Sequence, residues 1–259
     1  MKIPQNPRIL LCNDDGVAAP GLKALLKIAS QISDDVWIVA PETEQSGASH
    51  SLSLRHPLTI REVSAQKYAV NGTPTDCILV ALRHLMKENR PHLVLSGVNH
   101  GSNLAEDITY SGTVAAAMEA TLFGIPSIAF SLDINESGPK WATAEHFGPQ
   151  VIERLTYYGW PEKVLVNVNF PDLIVRSVTG ITVSHQGQRQ LSQDLLKTFD
   201  PRGRPYYWVG SAKDDDSEHP DSDLSMVQKG FITVTPIQLD LTHTQSLDEL
   251  RSCFNVFQH

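Results

Sequence analysis

Two adjacent carboxylates, Asp14 and Asp15, follow almost directly on the apolar run Ile9-Leu10-Leu11 in the segment R-I-L-L-C-N-D-D-G. Side by side at one strand end they repel each other by about 1 to 4 kcal/mol in wet surroundings. A bound cation turns that cost into an attraction. Alone, D-D-G reads equally well as a polar turn; two later segments favour the ligand reading. Glu42 to Ser49 (E-T-E-Q-S-G-A-S) holds no apolar residue larger than alanine, so it is not core, and it carries Ser46 and Gly47. Ser96 to Asn103 (S-G-V-N-H-G-S-N) reads as a loop that is costly to order unless it binds something, and it carries Asn99, His100 and Asn103. Carboxylate, hydroxyl and amide oxygens suit a hard cation such as magnesium, manganese or calcium, and not zinc. Ser111-Gly112-Thr113 opens a helix, where unpaired amides and a small glycine favour a phosphate. S-G-T alone is an ordinary N-cap; beside a metal it points to phosphoryl chemistry.

Such residues need a scaffold that gathers strand ends. Ile9 to Leu11 reads as a strand buried on both faces, followed by a helix opened by Pro20 and Gly21 with Leu22, Leu25, Leu26 and Ile28 as its apolar positions. Val36–Ala40, His92–Leu95, Pro126–Phe130 and Val164–Phe170 are further strands. Thr73, Pro74 and Asp76 form a helix-start signal, with Thr73 as N-cap. Val114–Phe123 is an alanine-rich helix, and Trp141–Tyr158 an amphipathic one. The pattern predicts one α/β domain over residues 1–259: a Rossmann-like three-layer α/β/α core over 1–186 with a mostly parallel sheet. A β-hairpin extension is expected near residues 58–70. In such sheets ligands sit at the carboxyl ends of the strands. Neighbouring strands lie about 4.8 Å apart, so their ends can converge on one ion.

Between Gly187 and Lys229 periodicity weakens. That stretch holds Tyr206-Tyr207-Trp208, poor residues to leave exposed, and it is read as a C-terminal oligomerisation arm in preference to a lid. Asp214-Asp215-Asp216 reads as a solvated loop rather than a second metal site. Residues 230–259 supply a last strand, Phe231–Pro236, and a helix, Ser246–Phe254, capped by Ser246 with Glu249 three residues on.

The formal net charge of −8 argues against general nucleic-acid binding. Three cysteines without C-x-x-C spacing suggest neither a disulfide framework nor a thiolate zinc site. No signal-peptide pattern and no apolar run long enough to span a membrane is present, so a cytoplasmic location without membrane attachment is expected.

Six blocks in order, I-L-L-C-N-D-D-G, P-E-T-E-Q-S-G-A-S, N-G-T-P-T-D-C, L-V-L-S-G-V-N-H-G-S-N, Y-S-G-T-V-A-A-A-M-E-A and D-P-R-G-R-P-Y-Y-W, resemble the SurE (survival protein E) nucleotidases from Arg8 to roughly Thr242. The resemblance implies a divalent-metal-dependent phosphomonoesterase acting on nucleoside 5′- and 3′-monophosphates and on some polyphosphate. It also implies a homodimer or homotetramer that exchanges C-terminal segments. By that resemblance Asp14, Asp15, Ser46 and Asn99 hold one divalent cation per subunit, magnesium or manganese. Cys12 stands where serine or threonine is commoner and Thr75 where alanine is usual; neither replaces a functional residue.

The expected mechanism is direct attack of a metal-activated water on phosphorus, with Asp14 and Asp15 catalytic. The amides near Gly47 and Ser111 to Thr113 would hold the phosphate, and Asn103 is a candidate substrate contact. His100 is a weaker candidate as proton donor to the leaving oxygen. A covalent aspartyl-phosphate route needs D-x-D, but the position two before Asp15 is Asn13. A nucleotide-binding dehydrogenase is disfavoured because no G-x-G-x-x-G follows the first strand. The alternative from another class is a sensor that binds metal and nucleotide without turnover.

Overall fold

The computed structural model describes residues 3–135, 137–189, 195–209 and 219–255. Its centre is a nine-stranded sheet. In chain order the strands are β1 (Ile9–Cys12), β2 (Val36–Pro41), β3 (Ile60–Ser64), β4 (Lys67–Val70), β5 (Leu93–His100), β6 (Ser127–Leu132), β7 (Val164–Phe170), β8 (Gly180–Val183) and β11 (Phe231–Gln238). Their spatial order is β3-β4-β2-β1-β5-β6-β7-β11-β8. Six of the eight pairings are parallel; only β3 on β4 and β11 on β7 run antiparallel. The expected edge hairpin is β3–β4.

Side-chain alternation splits the core between two faces. Ile9 and Leu11 pack with Leu22, Leu25 and Ile28 of α1 (Pro20–Ala29) and with Val151 and Ile152 of α5 (Trp141–Tyr158). Leu10 and Cys12 face the other way, onto Ile78 of α2 (Pro74–Val80) and Ala116 and Ala120 of α4 (Gly112–Leu122). The buried alanines of α4 let it lie close to the sheet. This is the expected three-layer α/β/α sandwich. At the start of α2, Thr73 and Asp76 form a reciprocal capping box, with Asp76 N donating to Thr73 Oγ1 at 3.1 Å and Thr73 N to Asp76 Oδ2 at 2.9 Å.

β5 differs from its sequence pattern. The strand does not stop at Leu95 but runs to His100, shifting register between Ser96 and Asn99. Ser96 pairs with Cys12 of β1, and Asn99 resumes pairing beside Ser131 of β6. The kink requires Gly97, whose φ is +129° and where a Cβ would stand 2.2 Å from the Phe130 carbonyl oxygen. Gly97→Ala should therefore lower the melting temperature by roughly 5 to 10 °C, the scale of about 2 to 3 kcal/mol in a domain of this size. A thermal scan checks it.

Within residues 187–229, β9 (Leu195–Phe199) and β10 (Pro205–Val209) form a hairpin that is a sheet of its own. Asp200 fastens the turn by accepting from Arg204 Nε at 2.8 Å. Leu195, Leu196, Phe199, Tyr206, Tyr207 and Trp208 are all exposed, Trp208 at 61%. The chain then returns to the body through α6 (Asp223–Gln228), which buries Leu224 and Val227. The run Asp214 to Asp216 lies outside the described residues. The last helix is α7 (Leu247–Asn255). No helix among the described residues is long and apolar enough to cross a membrane.

Candidate active site

The chain leaves β1 toward β2 on one side and returns to β5 on the other, so β1 and β5 are neighbours at a topological switch point. A crevice opens there, beyond the carboxyl ends of the strands. Asp14 and Asp15 leave β1 into it, and Asn99 arrives at the end of β5. Asn13 shapes the turn, its Nδ2 donating to the Gly16 carbonyl at 3.0 Å.

Asp14 is 4% exposed and has no basic side chain bonded to it among the described residues. Thr113 Oγ1 donates to Asp14 Oδ1 and lies 3.4 Å from Asn99 Oδ1. The Asp14 carboxyl is pushed up to about 6, mainly by burial; the Thr113 hydroxyl opposes this and the neighbouring Asp15 charge adds to it. Asp15 accepts from the His100 backbone N–H at 3.2 Å. Its carboxyl is also raised, first by burial and further by Glu44, with His100 acting against both. Asp15 thus stands within reach of the Asp14 and the Glu44 charges. Such crowding of negative charge is relieved by a cation.

The remaining predicted residues are placed unevenly. A cavity of about 340 Å³ is lined by Asp14, Ser46, Gly47, Asn99, Asn103 and Ser111, together with His100, Asp107 and Tyr110. Ser46 lines it, but its hydroxyl donates to Glu44 Oε1 at 2.8 Å instead of facing Asp14. The Asn103 side chain donates to Ser131 Oγ at 2.8 Å, which anchors the loop on the sheet. Ser111 caps α4 by accepting from Val114 N at 3.1 Å.

Gly112 and Thr113 stand directly against Asp14. The first turn of α4 closes on Asp14: Thr113 is fully buried with its hydroxyl on that carboxylate, and a Cβ on Gly112 would stand 2.8 Å from Asp14 Cβ. The positive end of the helix therefore holds the carboxylate. Among the described residues no three His, Cys, Asp or Glu side chains are grouped to hold a metal, so any cation here depends on amide and hydroxyl oxygens as well.

Sequence reasoning missed Glu44, Asp107 and Tyr110. Glu44 and Tyr110 each lie inside a block it used, two residues before Ser46 and one before Ser111, but neither was assigned a role there. Asp107 pairs with Arg189 at 2.9 Å, a contact across more than eighty residues that no local pattern announces.

Comparison with known proteins agrees with this architecture. The family model described as "Survival protein SurE" matches residues 9–193. The "5'-nucleotidase SurE" of Paramagnetospirillum magneticum is 52% identical over 252 residues, covering 97% of each chain. That of Parvibaculum lavamentivorans is 52% identical over 249 residues, 94% of this chain and 89% of the other. The crystal structure of the SurE protein from Aquifex aeolicus superposes with a TM-score of 0.85 at 38% identity, covering 96% of this chain and all of that one. The chain belongs to the survival protein SurE family.

Proposed function

We propose that this chain is a divalent-metal-dependent phosphomonoesterase that hydrolyses nucleoside 5′-monophosphates, and 3′-monophosphates, to nucleoside and phosphate. The carrying observation is the meeting of Asp14, Asn99 and Thr113 in a switch-point crevice lined by further oxygen donors. The relatives named 5'-nucleotidase supply the substrate class.

The donor set fits a hard divalent ion, magnesium or manganese, one per subunit: two raised carboxylates, an amide oxygen and a serine hydroxyl, none of them bonded to a Lys or Arg among the described residues. Asp14, Asp15, Asn99 and Ser46 would hold it, Ser46 on release from Glu44. Bound there, the ion neutralises phosphate charge and activates water. Thr113 and the first turn of α4 fix the direction of Asp14. Asp15 Oδ2 is engaged by the His100 N–H, which leaves Oδ1 to orient the attacking water. Gly47, Asn103 and Ser111 line the same cavity and would hold the phosphate.

The exposed apolar residues of the β9–β10 hairpin are suited to docking on a second copy, and the proposed assembly is a homodimer or homotetramer. Cys12, Cys77 and Cys253 are all unpaired, which suits a reducing compartment, and the cytoplasm is the proposed location.

The test is phosphate release from a panel of nucleoside monophosphates. Release is expected with manganese or magnesium, falling to background after chelation and returning when metal is restored. Tight nucleotide binding with no release under any metal would make the protein a sensor and defeat the proposal.

A further inference from the structure

The residues lining the cavity that reaches Asp14 are mostly small or polar: Ser46, Gly47, Asn99, Ser102 and Asn103 bring hydroxyls, amides or bare backbone. Tyr110 is the exception. It ends α3 (Asp107–Tyr110), stands 58% exposed, and lines the same cavity. Its backbone is held by two hydrogen bonds from Ser49. The Tyr110 carbonyl accepts from Ser49 N at 3.1 Å, and the Thr109 carbonyl accepts from Ser49 Oγ at 2.7 Å. Tyr110 thus joins the loop carrying Ser46 and Gly47 to the turn carrying Ser111. The other ring on the lining, His100, already packs against Trp141 with centroids 6.1 Å apart. Among the described lining residues, Tyr110 is the aromatic side chain with no ring contact.

A nucleotide whose phosphate reaches Asp14 must leave its sugar and base toward the cavity rim. A flat base needs a flat apolar surface there, and an exposed phenol on a fixed backbone supplies one. We propose that Tyr110 is the platform on which the substrate base stacks, and that it sets base preference. This rests on the nucleotidase reading. Stacking accepts every base because each has a π face, so the enzyme takes all four bases and ranks purines above pyrimidines by overlap area.

The experiment measures KM for AMP and CMP, and KM or the inhibition constant for ribose 5-phosphate, in wild type, Tyr110→Ala and Tyr110→Phe, with assembly followed by size-exclusion chromatography. Tyr110→Ala should raise KM for AMP by about 5- to 100-fold. The effect on CMP should be smaller, and the ratio of the ribose 5-phosphate constant to the AMP KM should fall accordingly. Tyr110→Phe keeps the ring and should keep the wild-type ratio. An equal change for all three compounds, an unchanged KM for AMP, or a change of assembly in both variants would overturn the platform. Failure of the wild type to hydrolyse AMP with metal would instead overturn the nucleotidase reading itself.

Discussion

Asp14→Asn is expected to lower kcat/KM for nucleoside monophosphates by about a thousandfold or more while leaving the chain folded. The loss follows from removing the most buried charge in the site, since cation stabilisation of the phosphate is worth several kcal/mol and each 1.36 kcal/mol is tenfold in rate. The fold survives because an asparagine oxygen can still accept from Thr113. Stability should even improve without metal. The folded chain holds the Asp14 carboxyl at about 6, mainly through burial, against an ordinary value of 3.8. Folding therefore favours the protonated form across that interval. The group's contribution to stability falls as pH rises through it, and above it the full cost of the buried charge remains. The amide removes that cost, about 1 to 3 kcal/mol. Chelated D14N should melt at or above chelated wild type at neutral pH. Activity close to wild type would take Asp14 out of the site.

Gly112→Ala is the second large effect. An added Cβ would meet Asp14 Cβ at 2.8 Å, Asp14 Oδ2 at 3.0 Å and Pro74 Cγ at 3.1 Å. Either α4 or the Asp14 side chain must move. Pro74 lies behind and α4 is packed along the sheet, so the carboxylate yields. A displacement near 1 Å in a positioned catalytic group costs about a hundredfold in rate. The packing cost should be about 1 to 3 kcal/mol. The variant is expected to fold, to melt lower, and to lose about a hundredfold in kcat/KM, with metal affinity falling in parallel. Full activity at a lowered melting temperature would mean that this approach is structural only.

What the sequence made legible was local. The N-cap at Thr73 and the buried run of β1 are written in neighbouring residues and appear where the pattern put them, while the stripe of α5 buries Ala144 and Val151 but leaves Tyr158 exposed. The continuation of β5 beyond Leu95 was not legible, because it depends on Gly97 passing under the Phe130 carbonyl of another strand. Helix α6, inside the aperiodic stretch 187–229, was not legible for a similar reason: it buries Leu224 and Val227 against Leu104 and Ala105, far away in sequence. In the site, residue types pointed to oxygen chemistry, but side-chain direction did not follow from type. Ser46 turns to Glu44 and Thr113 to Asp14 because nearby partners compete for each hydroxyl. The Y-S-G-T block contains Tyr110, but its exposure was not legible there, since the exposure of one aromatic is decided by the loops around it.

The most direct measurement is anomalous scattering from crystals grown with manganese. One peak per subunit is expected in the crevice between β1 and β5, with oxygens of Asp14, Asp15 and Asn99 at about 2.0 to 2.5 Å and Ser46 turned toward it. A crevice without a peak, or manganese held by other residues, would contradict the account.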